Sequence, residues 1–129
     1  IEVVGIDING QTVSEQFSVD ADGIAHTARC VHMDAQDMKG FKENHFDAVV
    51  STHALHEIDD ADVALGEMLR VMKPGGVLVI ADYSDGETRW SEDYHTPLQV
   101  QRLLDTAGFR FVNIEKVAQE PFLYATAIK

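Results

Sequence analysis

The chain has 129 residues, a formal net charge of −12, 45% hydrophobic and 25% charged residues, and one cysteine. This length and composition suit a single soluble domain with a modest core. The acidic balance, with no Lys/Arg cluster, speaks against nucleic-acid binding. No apolar run reaches membrane-spanning length, and no basic, signal-like segment opens the sequence. Cys30 alone excludes an intramolecular disulfide and a cysteine-based zinc cage, so a reducing, cytoplasmic location fits best and a buried, inert thiol is expected.

In chain order, Ile1 to Ile8 (IEVVGIDI) is a β-branched apolar run that predicts a buried parallel strand. Asp7 sits near its C-terminal edge. There a carboxylate either hydrogen-bonds ribose hydroxyls, as in nucleotide-binding α/β folds, or caps the turn that Asn9-Gly10 announces. Residues 11–29 keep no clean period. A crossover helix is expected if the flanking strands are parallel, with a hairpin as the alternative. Cys30 to Met33 predicts a second strand, followed by Asp34 and Asp37, and Lys39 to His45 reads as a polar loop.

Phe46 to Tyr83 reads as one βαβ unit. Phe46 to Ser51 is an apolar strand buried on both faces. Asp59 and Asp60 offer N-cap oxygens, and Leu65, Met68, Leu69 and Met72 make one helical stripe. Pro74-Gly75-Gly76 stops the helix, and Val77 to Ala81 forms the next strand. Loops at such strand ends are where α/β sheets place ligands, which singles out Ser51-Thr52-His53 and Asp82-Tyr83. Residues 84–95, with Trp90 and Tyr94, form either a lid or a surface loop. Thr96-Pro97-Leu98-Gln99 opens a helix with capping-box spacing. Val100, Leu103, Leu104 and Ala107 form its stripe, and Gly108 ends it. Phe109 to Val117 and Phe122 to Lys129 predict antiparallel neighbouring strands.

His53-x-x-His56-Glu57 does not match the zincin spacing, so no metal is expected. One of the two histidines is instead a candidate base for a substrate proton. Ser51 lacks a nucleophile elbow, and Cys30 has only Arg29 as a positive neighbour.

The segments VVGIDI at 3–8, CVHMDAQDM at 30–38, FDAVVSTHALHEI at 46–58 and LRVMKPGGVLVIADY at 69–83 together resemble class I S-adenosylmethionine-dependent methyltransferases, in the ubiquinone-biosynthesis-type small-molecule group. The resemblance implies a three-layer, Rossmann-like α/β fold over 1–129, mostly parallel with an antiparallel C-terminal edge. It also implies methyl transfer from S-adenosylmethionine to a small acceptor. In cofactor binding, Asp7 is implied to hold the ribose, Ile8 to pack on the adenine, Asp34 to accept from its amino group, and Ala35 to face the ring. Ser51 and Thr52 are implied to border the methionine end, with His53 and His56 on the substrate side. The family's first strand and its acid-x-Gly-x-Gly loop have no counterpart here and should precede Ile1. An upstream segment, a partner chain or second copy, or a remnant that re-pairs its strands would account for that, the first being favoured. The competing function is a non-catalytic, methyltransferase-like module completed by a partner.

Overall fold

The computed structural model describes residues 1–10, 13–84 and 93–129. Among the described residues, seven strands fall into two sheets. β1 (Glu2–Asp7), β2 (Val13–Val19) and β3 (Ala25–His32) form one sheet in the order β1-β3-β2. β4 (Phe46–Thr52), β5 (Met72–Tyr83), β6 (Arg110–Lys116) and β7 (Phe122–Ile128) form the other, in the order β4-β5-β7-β6.

In the first sheet β1 and β3 pair in parallel, Glu2 opposite Thr27 through Asp7 opposite His32. The connection between them is not a helix. β2 runs back antiparallel to the outer side of β3, so the hairpin alternative holds for residues 13–32 and β3 starts five residues earlier than the sequence suggests. A returning strand satisfies the crossover geometry as well as a helix does, because it restores the chain direction before β3.

The second sheet follows the βαβ expectation. β4 and β5 pair in parallel, Ala48 opposite Val77 through Thr52 opposite Ala81, and α1 (Ala61–Val71) connects them. Asp60 caps α1 by accepting from the Val63 amide at 3.1 Å. The helix ends before the Pro-Gly-Gly turn, because Met72 is already extended and its N–H closes on the Met68 carbonyl. Gly76 tolerates no side chain, since a Cβ there would stand 2.9 Å from the Lys73 carbonyl oxygen and 3.0 Å from that of Asp47. α2 (Pro97–Ala107) carries the full capping box: Gln99 N–H donates to Thr96 Oγ1 and Thr96 N–H to Gln99 Oε1. Gly108 then adopts φ +101°, the left-handed cap. β7 pairs antiparallel with β6, as their short connection requires, and also with β5.

The core lies between α1, α2 and one face of the second sheet. Leu65, Met68 and Val71 of α1 and Val100 and Leu104 of α2 meet Leu78 and Ile80 of β5 and Leu123, Ala125 and Ala127 of β7. The strand residues alternate with exposed or half-buried ones, the period of a sheet covered on one face. The α/β, Rossmann-like class therefore holds, but the sheets are mixed rather than mostly parallel: among the described residues, two strand pairings are parallel and three antiparallel. Among the described residues the helices cover one face only.

That single layer corrects three expectations. β4 is not buried on both faces, and Val50 is 63% exposed. β1 is not buried either, with Val3 at 57%. Cys30 is exposed rather than sequestered. In each case, among the described residues, no helix packs on the outer face, and β1 and β4 are sheet edges.

The two sheets run in the same sense. Glu2 Oε2 at the start of β1 lies 3.9 Å from His45 Nε2, just before β4. At the other end, Gln36 Oε1, beyond β3, accepts from the Asp60 amide at 3.0 Å. The starts of both parallel pairs thus meet at one end, and their C-terminal loops at the other.

Candidate active site

The segments at the C-terminal strand ends carry the candidate site residues Asp7, Ile8, Asp34, Ala35, Ser51, Thr52, His53 and His56, in two groups. The first is Asp7, Ile8, Asp34 and Ala35. Asp7 closes β1, and its Oδ1 accepts from the Asn9 amide at 2.7 Å, so it does form the turn cap. Its backbone carbonyl receives the Met33 N–H at 3.2 Å, which brings the segment leading to Asp34 alongside. Asp34 Oδ1 accepts from the Gln36 amide at 2.8 Å, and Gln36 in turn reaches the N-terminus of α1. Both carboxylates keep further acceptor capacity, since an ionised carboxylate offers about four lone-pair sites. Ile8, 55% exposed, stands beside Asp7 as an apolar surface. Two acids able to accept from hydroxyl or amine donors thus stand next to an exposed aliphatic chain and a half-buried alanine.

The second group lies at the ends of β4 and β5. Ser51 is buried and Thr52 exposed at the last residues of β4. His53 follows with φ +51°, which turns the chain off the strand while its N–H still reaches the Ala81 carbonyl at 2.8 Å. A non-glycine residue there stores roughly 1–2 kcal/mol of backbone strain, and its ring is held by stacking. The centroids of His53 and Tyr83 are 4.9 Å apart, and those of His53 and Phe122 are 5.7 Å apart. His56 occupies the 3-10 turn Leu55–Glu57, and its Nδ1 lies 2.7 Å from Asp82 Oδ1. Both side chains are nearly sequestered, at 7% and 6% exposure. Asp82 also accepts from the His56 amide at 3.1 Å and the Tyr83 amide at 2.8 Å. Tyr94, just before α2, places its ring 4.7 Å from His56 and 5.4 Å from Tyr83. Of the lid segment, Trp90 lies outside the described residues.

The structure thus gathers Asp7, Ile8, Asp34 and Ala35 at one set of strand ends, and separately Ser51, Thr52, His53 and His56 at the other. No strand pairing joins the two groups among the described residues. Two contributors and one contact escaped the sequence. Phe122 reaches the cluster because it pairs with Tyr83 across the β5–β7 ladder, a register that no local pattern reveals. Gln36 looked like a loop residue. Asp82 was visible as a strand end, but its bond to a histidine 26 residues earlier was not.

Comparison with known proteins gives the class. A family model described as a methyltransferase domain matches residues 1–80. A ubiquinone/menaquinone biosynthesis C-methyltransferase of Pseudomonas fluorescens is 32% identical over 113 residues, covering 86% of this chain and 40% of that protein. Its counterpart in Shewanella piezotolerans is 39% identical over 62 residues, 48% of this chain and 24% of that protein. Among solved structures, the [4+2]-cyclase SpnF superposes with a TM-score of 0.72 at 21% identity, covering 79% of this chain and 57% of that one. A methyltransferase of Thermotoga maritima does so with a TM-score of 0.68 at 16% identity, covering 78% and 63%. The chain belongs to the class I S-adenosylmethionine-dependent methyltransferase family. It spans less than half the length of these curated relatives.

Proposed function

We propose that the protein transfers the methyl group of S-adenosylmethionine to a small-molecule acceptor, and that residues 1–129 act as one methyltransferase domain. The observation that carries this reading is the pair of carboxylates, Asp7 and Asp34, at adjacent parallel strand ends. Through Gln36 and Asp60 that pair is tied to the element bearing the histidine and aromatic cluster. In this reading Asp7 takes the ribose hydroxyls, Asp34 the adenine amino group, and Ile8 and Ala35 the ring faces. Ser51 and Thr52 border the methionine end, and His53 and His56 face the acceptor. When bound, S-adenosylmethionine supplies a methyl carbon on a sulfonium that needs alignment rather than covalent help. The stacked rings of His53, Tyr83 and Phe122 suit a planar, apolar acceptor. A reduced quinone ring methylated at carbon, as the names of the relatives suggest, fits that wall.

Calorimetric titration of the natural full-length protein with S-adenosylhomocysteine tests the reading. Asp7→Asn and Asp34→Asn should each weaken binding by ~10- to 100-fold, the worth of one charge-assisted hydrogen bond. No binding by the wild-type protein, or unchanged affinity in both variants, overturns it.

A further inference from the structure

We propose that Asn9 is a site of spontaneous deamidation, and that its conversion disarms the turn that holds Asp7. The first half stands on the local geometry alone. The second half rests on the methyl-transfer reading above, which puts a ribose on Asp7.

The dipeptide Asn9-Gly10 is imposed by the turn that ends β1. Asp7 Oδ1 accepts from the Asn9 amide at 2.7 Å, and the Ile8 carbonyl lies 2.7 Å from His32 Nε2. The chain then passes so close to Asp7 that a Cβ at Gly10 would stand 2.8 Å from Asp7 Cβ. Glycine is the residue that fits there, and with no side chain it is also the one that least hinders attack by its own nitrogen on the residue before it. Asn9 is exposed, so water reaches its carboxamide. Among the described residues, the Asn9 carboxamide and the Gly10 N–H make no hydrogen bond that would hold them apart. Electrophile and nucleophile thus stand next to each other on the surface, beside a candidate binding carboxylate.

The other described candidates lack this combination. Asn44 Oδ1 accepts from Lys129 Nζ at 2.8 Å, and the next amide, that of His45, donates to the Val71 carbonyl at 2.8 Å. Asn113 lies within β6 and donates to Glu115 Oε1 at 3.2 Å, while the branched side chain of Ile114 crowds the nitrogen that would attack. Gly23 follows Asp22, but its N–H donates to the Asp20 carbonyl at 3.1 Å.

The step balances with water as its reagent. Gly10 N gives its proton to solvent and attacks Asn9 Cγ. The new carbon–nitrogen bond closes a succinimide ring, and the carboxamide nitrogen leaves as ammonia. Water then opens the ring at either carbonyl, giving aspartate or isoaspartate. Both products place a second negative charge in the Asp7 turn, where like charges repel. Isoaspartate also adds a methylene to the main chain where Gly10 is packed closely on Asp7.

The test incubates the natural full-length protein in mildly alkaline buffer, beside a synthetic peptide of the same sequence around Asn9. Peptide mapping that separates aspartate from isoaspartate reads both. Asn9 should gain the mass of an amide-to-acid exchange ahead of Asn44 and Asn113, with isoaspartate among the products. Its rate should lie within about tenfold of the peptide's, as for a segment with little local protection. The rate should rise with pH, because the attacking nitrogen must first lose its proton. The affinity of the converted protein for S-adenosylhomocysteine should fall by ~10-fold, the worth of one hydrogen bond. Asn9→Ser keeps the backbone N–H that Asp7 accepts but has no amide to lose, so its affinity should not change on ageing. Asn9 left intact after the peptide has converted, or Asn44 or Asn113 converting first, overturns the proposal. Conversion at Asn9 with unchanged affinity overturns its second half, whereas no binding by the fresh protein overturns the methyl-transfer reading itself.

Discussion

Removing the Glu67 carboxylate should loosen the loop that carries Asp34, and the size of the effect follows from its contacts. Glu67 Oε1 accepts from Arg70 Nε at 2.7 Å, and Oε2 accepts from Arg70 Nη2 at 2.9 Å and from the Met38 amide at 2.7 Å. Arg70 in turn donates to the carbonyls of Phe41 at 3.0 Å and Met38 at 2.9 Å. This bidentate clamp fastens residues 38–41 onto α1, four residues beyond Asp34. The hydrogen bond from Arg70, more than the Met38 amide, holds the Glu67 carboxyl below its ordinary range. Hydrogen bonds to charged groups contribute ~1.5–3 kcal/mol each and do not add fully. With the carboxylate 18% and the guanidinium 26% exposed, solvent screens part of this. Glu67→Ala should therefore cost about 2–3 kcal/mol, lowering Tm by ~6–15 °C for a domain of this size. Because the folded carboxyl titrates below its unfolded value, the stabilisation is present above the ordinary glutamate range. It is lost as pH falls through the depressed value. Urea unfolding at pH 7 and across the acid range measures both effects, and hydrogen exchange of the Met38 amide reports the loop. A loss under about 0.5 kcal/mol at pH 7, or an acid dependence identical to wild type, would refute the clamp.

Two further outcomes concern the helices that close the core. Thr96→Ala removes the Oγ1 acceptor of the Gln99 amide and should destabilise by ~1 kcal/mol in denaturant melts, the usual worth of an N-cap. Leu104→Ala, at a fully buried position in the core cluster, should cost ~3–5 kcal/mol. A calorimetric loss below about 1 kcal/mol there would mean that α2 is not packed as described.

The local elements were legible because their signals are local. Thr96 and Gln99 stand at capping-box spacing, Asp60 precedes an apolar stripe, and the run from Phe46 to Tyr83 alternates strand, helix and strand within the reach of one crossover. The candidate carboxylates Asp7 and Asp34 were equally visible, since an acid at a strand end needs no partner to be noticed. Residues 13–24 were not legible. Among the described residues, Phe17, Val19 and Ile24 are exposed, so no burial imposed a period on them. Burial misled for Val3, Val50 and Cys30 for a related reason. An apolar strand reads the same whether one face or two are covered, and only the count of helix layers tells them apart.

The sequence by itself determined the caps, the βαβ unit, the acids at the strand ends and the family. Each depends on residue types a few positions apart, where propensity and hydrogen-bond geometry act directly. Tertiary structure alone decided which distant side chains meet. It decided that β2 returns as a hairpin strand, and that Phe122 falls opposite Tyr83. Above all it decided that Asp82 closes on His56 across 26 residues of chain. Those contacts are set by ladder register and by the turn that His53 makes at φ +51°, quantities that exist only once strands have paired.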